Sequence, residues 1–439
     1  MTGGVAPGRD FDFLIVGAGV TAMAMASLAL ARKLAAPGRV AIIAEGGAPP
    51  AAAAIAESDW DLRVFALSRA SQRLLKICGA WQLPPPQKMC AYERMCVWDA
   101  RGGHPQGGYP QDDQPHGAKP PGAGSLSFDC AELGEPNLGF IVEGRALQAQ
   151  CRRAASAAGV IFIEAGIDGI RIGDTHVRLS LNDGRELRSE LLIAADGADS
   201  TVRKLLGIET AGHAYHQDAL VAHVRTAKAH RNTAWQRFLP TGPLALLPLP
   251  DGRSSIVWSA ARAEATRLRA LDSAAFGAAV AAASGEVLGS CELTTPVASF
   301  PLKLQYAMDY VRPRAVLVGD AAHAVHPLAG QGLNLGLLDC ASLADVLSSD
   351  LRGLGGAGRF GEHRLLRRYE RWRKSENLLA ATAMDALEQL FSSDNPAIAG
   401  LRVVGLNAVG RLPFIKRQLV ERAMGISGDV PAFLQANAD

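Results

Sequence analysis

Three stretches of this 439-residue chain combine residue types and spacings suited to chemistry. The first is Gly17-Ala18-Gly19-Val20-Thr21-Ala22. Glycine at 17 permits a tight turn out of a strand, and glycine at 19 lets a pyrophosphate approach bare backbone. Ala22 is the small residue that close packing of helix on strand needs. A helix starting there would offer unpaired N–H groups and partial positive charge to the phosphates. Glu45, at the end of the next strand, is placed to accept hydrogen bonds from a ribose. The second stretch, Leu191 to Gly207, runs from an apolar segment into Asp196-Gly197. Asp199 or Ser200 can cap the short helix that follows, and Gly207 can close it. The third, Gly319 to Asp339, places Asp320 where a buried strand ends, which is where open α/β sheets bind ligands. A carboxylate there can accept from the hydroxyls of a bound ligand. Gly330, Gly332 and Asn334 then bring bare backbone to the start of another helix, whose dipole would stabilise negative charge on a ring lying against it. His323 and His326 lie close in sequence, but no third ligand is near, so hydrogen-bonded histidines lining a site are expected rather than a metal centre.

These groups need a scaffold. Phe11 to Val16 is a short apolar run bounded by glycine, which suits a buried parallel strand. Thr21 to Leu34 reads as a helix of small residues and Arg39 to Ala44 as a second buried strand. Residues 13–31 form nineteen residues without charge, about the length of a membrane span. Gly17 and Gly19 break that run, and Asp10 and Asp12 before it do not fit a secretion signal. It is therefore read as strand and helix of one buried β-α-β unit. Leu67 to Ile77 and Glu143 to Ala158 have helical spacing, with strands near 160–164, 175–181 and 190–195. Between 214 and 260 the pattern alternates as antiparallel strands do, with a turn at Asp251-Gly252, and one helix follows from Glu264 to Ser284. The strand at 315–318 returns to the first domain. Beyond Leu333 the chain reads as mostly helical, with a basic helix over 364–376. Residues 101–124 are rich in Gly, Pro, Gln and His and too poor in aliphatic residues to form a core, so a mobile surface insertion is expected.

The fold class that follows is α/β. A Rossmann-like dinucleotide domain is expected over 1–90, 130–210 and 300–350. A sheet-based substrate lobe over 91–129 and 211–299 and a helical C-terminal region over 351–439 complete it. With 45 basic and 43 acidic side chains the net charge is +2, which gives no footprint for nucleic acid or another polyanion. The seven cysteines are scattered and contain no Cys-x-x-Cys pair, so neither zinc nor disulfide exchange is indicated. Reduced thiols of a cytoplasmic protein are expected.

In this order and spacing the three stretches resemble the flavoprotein aromatic hydroxylases related to para-hydroxybenzoate hydroxylase, and among them the ubiquinone-biosynthesis hydroxylases. The run His326-Pro327-Leu328-Ala329-Gly330-Gln331-Gly332-Leu333-Asn334-Leu335-Gly336, followed by Asp339, matches the signature of that branch. Asp61-Leu62-Arg63, Ala66-Leu67-Ser68, Val142-Glu143-Gly144-Arg145 and the stretch from Trp235 to Trp258 extend the match. The resemblance runs from about residue 11 to about 430, apart from the insertion. It implies permanently bound FAD, with NADH or NADPH as a transient visitor, since the chain carries one dinucleotide fingerprint. Glu45 would hold the adenosine ribose, and Arg63 and Arg145 would contact the phosphates or the ribityl chain. Asp196-Gly197 would serve both FAD and the nicotinamide cofactor, and Asp320 the ribityl chain. Leu333 and Asn334 would present backbone to the pyrimidine edge of the flavin. Pro327, Leu328, Ala329 and Gly330 would form the face where oxygen and substrate meet it. Two departures stand out. Ala22 replaces the usual third glycine, which is harmless to packing, and Gly144 stands where asparagine is common, which bears on the placement of Arg145.

The activity implied is FAD-dependent hydroxylation of an aromatic ring with NAD(P)H and O2, on a polyprenylated phenol or benzoquinol intermediate of ubiquinone biosynthesis. No catalytic base is assigned; His213, His216 and His223 are candidates only by lying in the sheet lobe. A same-fold hydroxylase of a soluble aromatic in secondary metabolism is the alternative, and a non-catalytic FAD-binding subunit of a biosynthetic complex is a third reading. A prenyl tail would bring peripheral contact with the inner face of the membrane, through the 364–376 helix or the segment Arg411 to Met424. A solvated helix face is the plainer account of both.

Overall fold

The computed structural model describes residues 10–46, 60–81, 86–100, 124–325, 331–353, 360–392, 405 and 412–435. All of the Gly/Pro-rich insertion but Gly124, and the stretch His326 to Gly330, lie outside these residues.

The strand expected at the start of the chain is β1 (Asp10–Val16), flanked in parallel by β2 (Val40–Ala44) and β11 (Glu186–Ala194). The sheet continues through β8 (Ile161–Glu164) beside β2, and on the other side through β19 (Ala315–Leu317) and β18 (Val311–Arg312). β9 (Ile167–Ile172) and β10 (Val177–Leu181) add an antiparallel flank to β11. Helix α1 (Val20–Ala31) is buried from Ala22 to Ala29 without interruption. A helix covered on every side needs no polar face, which is why 13–31 imitates a membrane span. Among the described residues no helix is long and apolar enough to cross a membrane.

The alternating region builds a second sheet of nine strands. Its path is β20 (His323–Ala324), β17 (Ala298–Ala307), β12 (Thr210–Thr226), β15 (Ser254–Ala261), β14 (Gly242–Pro248), β13 (Thr233–Leu239), β5 (Arg94–Asp99) and β6 (Ser125–Asp129), with β16 (Cys291–Leu293) also on β12. One face, including Leu220, Trp235, Leu244, Ile256 and Trp258, packs with residues of α5 (Arg262–Arg269) and α6 (Ser273–Ala283). The single helix expected over Glu264 to Ser284 is thus two. Asp272 accepts from the Ala275 N–H at 2.8 Å, and an Asx cap of this kind starts a new helix. A third, small sheet has the order β3 (Val64–Ser68), β7 (Gly139–Glu143), β4 (Met89–Tyr92). Leu67 and Ser68 are therefore strand, and α2 (Arg69–Ile77) begins only after the Ser68 cap.

The remaining helices are α3 (Gly144–Ala157), α4 (Thr201–Leu205), α7 (Gln331–Gly353), α8 (His363–Ser392) and α9 (Pro413–Ala423). Ser200, not Asp199, caps α4. The basic run at the start of α8 is not basic all round: Leu365, Leu366, Tyr369, Glu370, Arg373 and Asn377 are buried, leaving Arg364, Arg368 and Arg371 outside. All seven cysteines are free thiols.

Candidate active site

A groove of about 850 Å³ runs along the ends of β1 and β2 and the starts of α1 and α7. Its walls include Gly17, Gly19, Glu45, Arg63, Gly144, Gln148, Asp196, Asp320, Gly332 and Leu333. The two glycines of the fingerprint differ in kind. Gly17 has φ +117°, and a Cβ there would lie 2.2 Å from the Ala195 carbonyl oxygen, so the protein itself requires glycine. Gly19, the residue before α1, has φ −77°, open to any residue. A Cβ on it would meet no protein atom within 4 Å, and the same holds at Gly332. Both point bare backbone into the groove, and both lie where a helix begins, so the space fits a pyrophosphate at one end and a flat polar ring edge at the other. Ala22 is fully buried behind the turn.

Asp320 faces the groove, and the bulk of protein around it raises its carboxyl pKa, against the pull of His323 and Arg63. Asp196 lines the groove, while its carboxylate accepts from the Ser200 hydroxyl and, at 3.0 Å, from the Val202 N–H, holding α4 in place. Arg63 lies over the Phe65 ring at 5.0 Å.

Two sequence-selected residues stand back from the groove. Arg145 does not line it; its Nε lies 3.4 Å from Glu143 Oε1 and 4.0 Å from Asp61 Oδ2. The neighbouring Gly144 does line it, and a Cβ there would come within 2.7 Å of the Arg63 carbonyl oxygen. The absence of asparagine at 144 thus follows from how closely the Arg63 segment lies upon α3. Asn334 has a buried side chain that accepts from the Ser68 N–H at 2.9 Å and the Ser71 hydroxyl at 2.7 Å, and donates to the Ala66 carbonyl at 2.8 Å. That carboxamide fastens the start of α7 to β3 and α2, and it is Gly332 and Leu333 that reach the groove.

Two carboxylates that the sequence did not single out as site residues organise these parts. Glu143 is fully buried; its Oε1 accepts from the Asp61 N–H at 2.9 Å and its Oε2 from the Ala146 N–H at 2.6 Å, so it both caps α3 and holds the 61–63 segment. Asp339, also fully buried, accepts from the Gly319 N–H at 2.9 Å, Arg373 Nε at 2.8 Å and Asn377 Nδ2 at 3.0 Å. His323 and Arg373 outweigh desolvation and hold its carboxyl at a pKa of about 2. An ionised Asp339 makes His323 Nε2, 2.6 Å away, the donor. His323 is thus a hydrogen-bonded histidine, and it steadies the turn that carries Asp320.

A second space, about 590 Å³, opens from the groove at Arg63, Val64, Ala324 and Val325. Its floor is the face of the second sheet opposite α5 and α6, with Ala219, Val221, Ala245, Leu247 and Val257. Its other walls include Tyr92, Phe128, Leu138 and Ile141, and α9 contributes Leu419, Val420 and Ala423. No histidine is among the described residues of this wall. His213 lies 3.4 Å from Asp385, His216 sits at φ +56° in an irregular part of β12, and His223 is fully buried, edge-on to Trp60.

Comparison with known proteins agrees with this geometry. The profile of the FAD binding domain family matches residues 168–377. The chain is 33% identical over 419 residues to the 3-demethoxyubiquinol 3-hydroxylase of Escherichia coli (strain K12), an alignment covering 94% of this chain and 98% of that protein. It is 36% identical over 420 residues to the ubiquinone hydroxylase UbiL of Rhodospirillum rubrum, covering 94% and 89%. Among solved structures, p-nitrophenol 4-monooxygenase PnpA from Pseudomonas putida DLL-E4 matches with a TM-score of 0.71 at 16% identity, over 96% of this chain and 99% of that one, a likeness of fold. An FAD-sized groove opening into an apolar cavity is thus found in a chain whose relatives are hydroxylases over nearly its whole length: it belongs to the ubiquinone-biosynthesis hydroxylase family of FAD-dependent monooxygenases.

Proposed function

We propose that this chain hydroxylates the ring of a prenylated phenol or benzoquinol on the route to ubiquinone, with NADH or NADPH and O2 as co-substrates. The observation that carries the reading is the junction of the two spaces, where an apolar cavity opens into the dinucleotide groove at Ala324 and Val325. FAD, when bound, supplies the electron store and the activation of O2. In balance, ring C–H, O2, NAD(P)H and a proton give ring C–OH, NAD(P)+ and water.

The residues have the following work. Gly17, Gly19 and Ala22 shape the seat of the pyrophosphate at α1, and Glu45 takes the adenosine ribose. Asp320 accepts from the ribityl hydroxyls, with Asp196-Gly197 and Arg63 closing the groove around them. Gly332 and Leu333 offer the N–H groups of α7 to the pyrimidine edge, where the helix dipole favours negative charge. Arg145 and Asn334 act through what they hold, the 61–63 segment and the start of α7. Pro327, Leu328, Ala329 and Gly330 connect the cavity junction at Val325 to α7 in sequence, which supports their place at the oxygen and substrate face. The apolar walls keep water from the reacting ring.

Helix α9 supports a further part of the reading, peripheral contact with a membrane. Leu419 lines the cavity and is 48% exposed, and Phe414 is 70% exposed. A helix that shows apolar side chains among basic ones beside the cavity suits entry of a prenyl tail from a bilayer surface.

Deleting the gene tests the substrate directly. The expected result is accumulation of a prenylated precursor one ring hydroxyl short, and an unchanged quinone pool rejects the assignment. Purified protein should be yellow and should consume NAD(P)H faster when a prenylated phenol is added; a yellow protein that never does so is a binding subunit instead.

A further inference from the structure

The cavity floor carries one group out of character with its surroundings. In β13, Ala234 and Gln236 line the cavity, while the Trp235 ring also packs into the core cluster with α5 and α6, edge-on to Trp98 with centroids 6.1 Å apart. Gln236 pairs with Ala245, Ala245 with Val257, and Val257 with Val221. Across four strands, therefore, one amide lies in a row of small apolar side chains. Gln236 is 6% exposed and lines the cavity. Its side chain has no hydrogen bond to any described residue, in contrast to Asn334, whose amide makes three.

The Gln236 amide opens onto the cavity without a protein partner, where leucine would extend the apolar floor. The natural resolution is a partner that arrives with the ligand. The charged groups of the cavity wall lie elsewhere: Arg63 belongs also to the groove, and Lys303 is tied to Asp199 at 2.9 Å. Among the described residues of the Gln236 row none is charged, and a carboxamide both donates to and accepts from a neutral hydroxyl.

We infer that the Gln236 carboxamide hydrogen-bonds a ring oxygen of a neutral phenol or quinol and so fixes which ring carbon is presented for hydroxylation. This rests on the proposed function and deepens it, since it makes Gln236 the residue that orients the ring.

The test compares wild-type and Gln236→Leu holoenzymes, with 2-farnesylphenol and farnesylbenzene as probes, titrated through flavin fluorescence. Gln236→Met, unbranched and equally apolar, serves as the second variant. Wild type is expected to bind the phenol about tenfold more tightly than the deoxy probe, the worth of one hydrogen bond from a buried amide. Both variants should retain FAD and bind the two probes about equally. With 2-farnesylphenol as substrate they should also give mixed sites of hydroxylation and fewer products per NAD(P)H consumed. A purely structural role would weaken both probes alike. A preference for the phenol that survives in the variants overturns the inference, as does loss of flavin or fold in both, because Gln236 would then belong to the scaffold. Wild type that neither binds nor hydroxylates 2-farnesylphenol fails at the earlier step and overturns the function proposed above.

Discussion

Two glycines on either side of Ala18 separate what the fold needs from what a ligand needs. At Gly17 the backbone lies at φ +117°, with the Ala195 carbonyl in the way of any side chain. Valine there should cost several kcal/mol and leave little folded protein. At Gly19 the backbone is ordinary and the space is open. Gly19→Val is expected to fold with a melting temperature near that of the wild-type apoprotein and to purify without flavin, since its side chain fills the pyrophosphate seat. Retention of full FAD would refute that seat. His223 gives a prediction of another kind. Burial lowers its pKa from 6.5 to about 4, so folding favours the neutral ring. A depressed histidine contributes stability that is complete above pH 6.5 and is lost as pH falls toward 4, on the order of 3 kcal/mol. Urea unfolding between pH 7.5 and 4 should show that slope, and His223→Leu should flatten it; an unchanged slope would assign it to other groups.

At the scale of elements, the Asn334 side chain fastens the start of α7. Asn334→Leu strips the Ser68 N–H and the Ala66 carbonyl of their partners, at about 3 kcal/mol or more. Because Gly332 and Leu333 reach the groove from the same turn, FAD affinity should fall with stability, and added FAD should recover part of the loss. A variant that unfolds more readily yet holds FAD as tightly as wild type would separate the clamp from the cofactor. Much of the element level was legible in the sequence, because the signals are local: the apolar run of β1, the alternation from 214 to 260, a cap at Asp199 or Ser200. The break before α6 was missed, although Asp272 is an ordinary cap residue, because helical composition on both sides hid it. What could not be read is long-range. Asn334 meets Ser68 across 266 residues, and nothing near Asp339 in sequence says that Arg373 and Asn377 will share its carboxylate. The basic run of α8 misled for the same reason, because its buried stripe, including Glu370 and Arg373, has meaning only beside α7.

At the scale of the whole molecule, the cavity belongs to no single element. The second sheet supplies its floor, the small sheet and β6 one wall, and α9 another. α9 is tied down by the ion pairs of Lys416 with Glu132 and Arg422 with Glu376. Its free side shows Phe414 at 70% and Ile415 at 40% exposure. If a prenylated substrate reaches the cavity from a bilayer, this face is where the protein meets it. Transfer of a large apolar side chain from water is worth roughly 1.5–3 kcal/mol when complete. Shallow insertion of Phe414 and Ile415 together should therefore raise vesicle affinity by about tenfold or more. Wild-type holoenzyme is expected to float with vesicles containing anionic phospholipid, and the double variant Phe414→Ser, Ile415→Ser to remain below. The same variant should hydroxylate a short-tailed, water-soluble phenol at the wild-type rate, since neither residue is on the cavity wall. Equal flotation of the two proteins would move the contact away from α9. Loss of activity toward the soluble phenol would show instead that this face helps to build the cavity, and that the membrane is not what it is for.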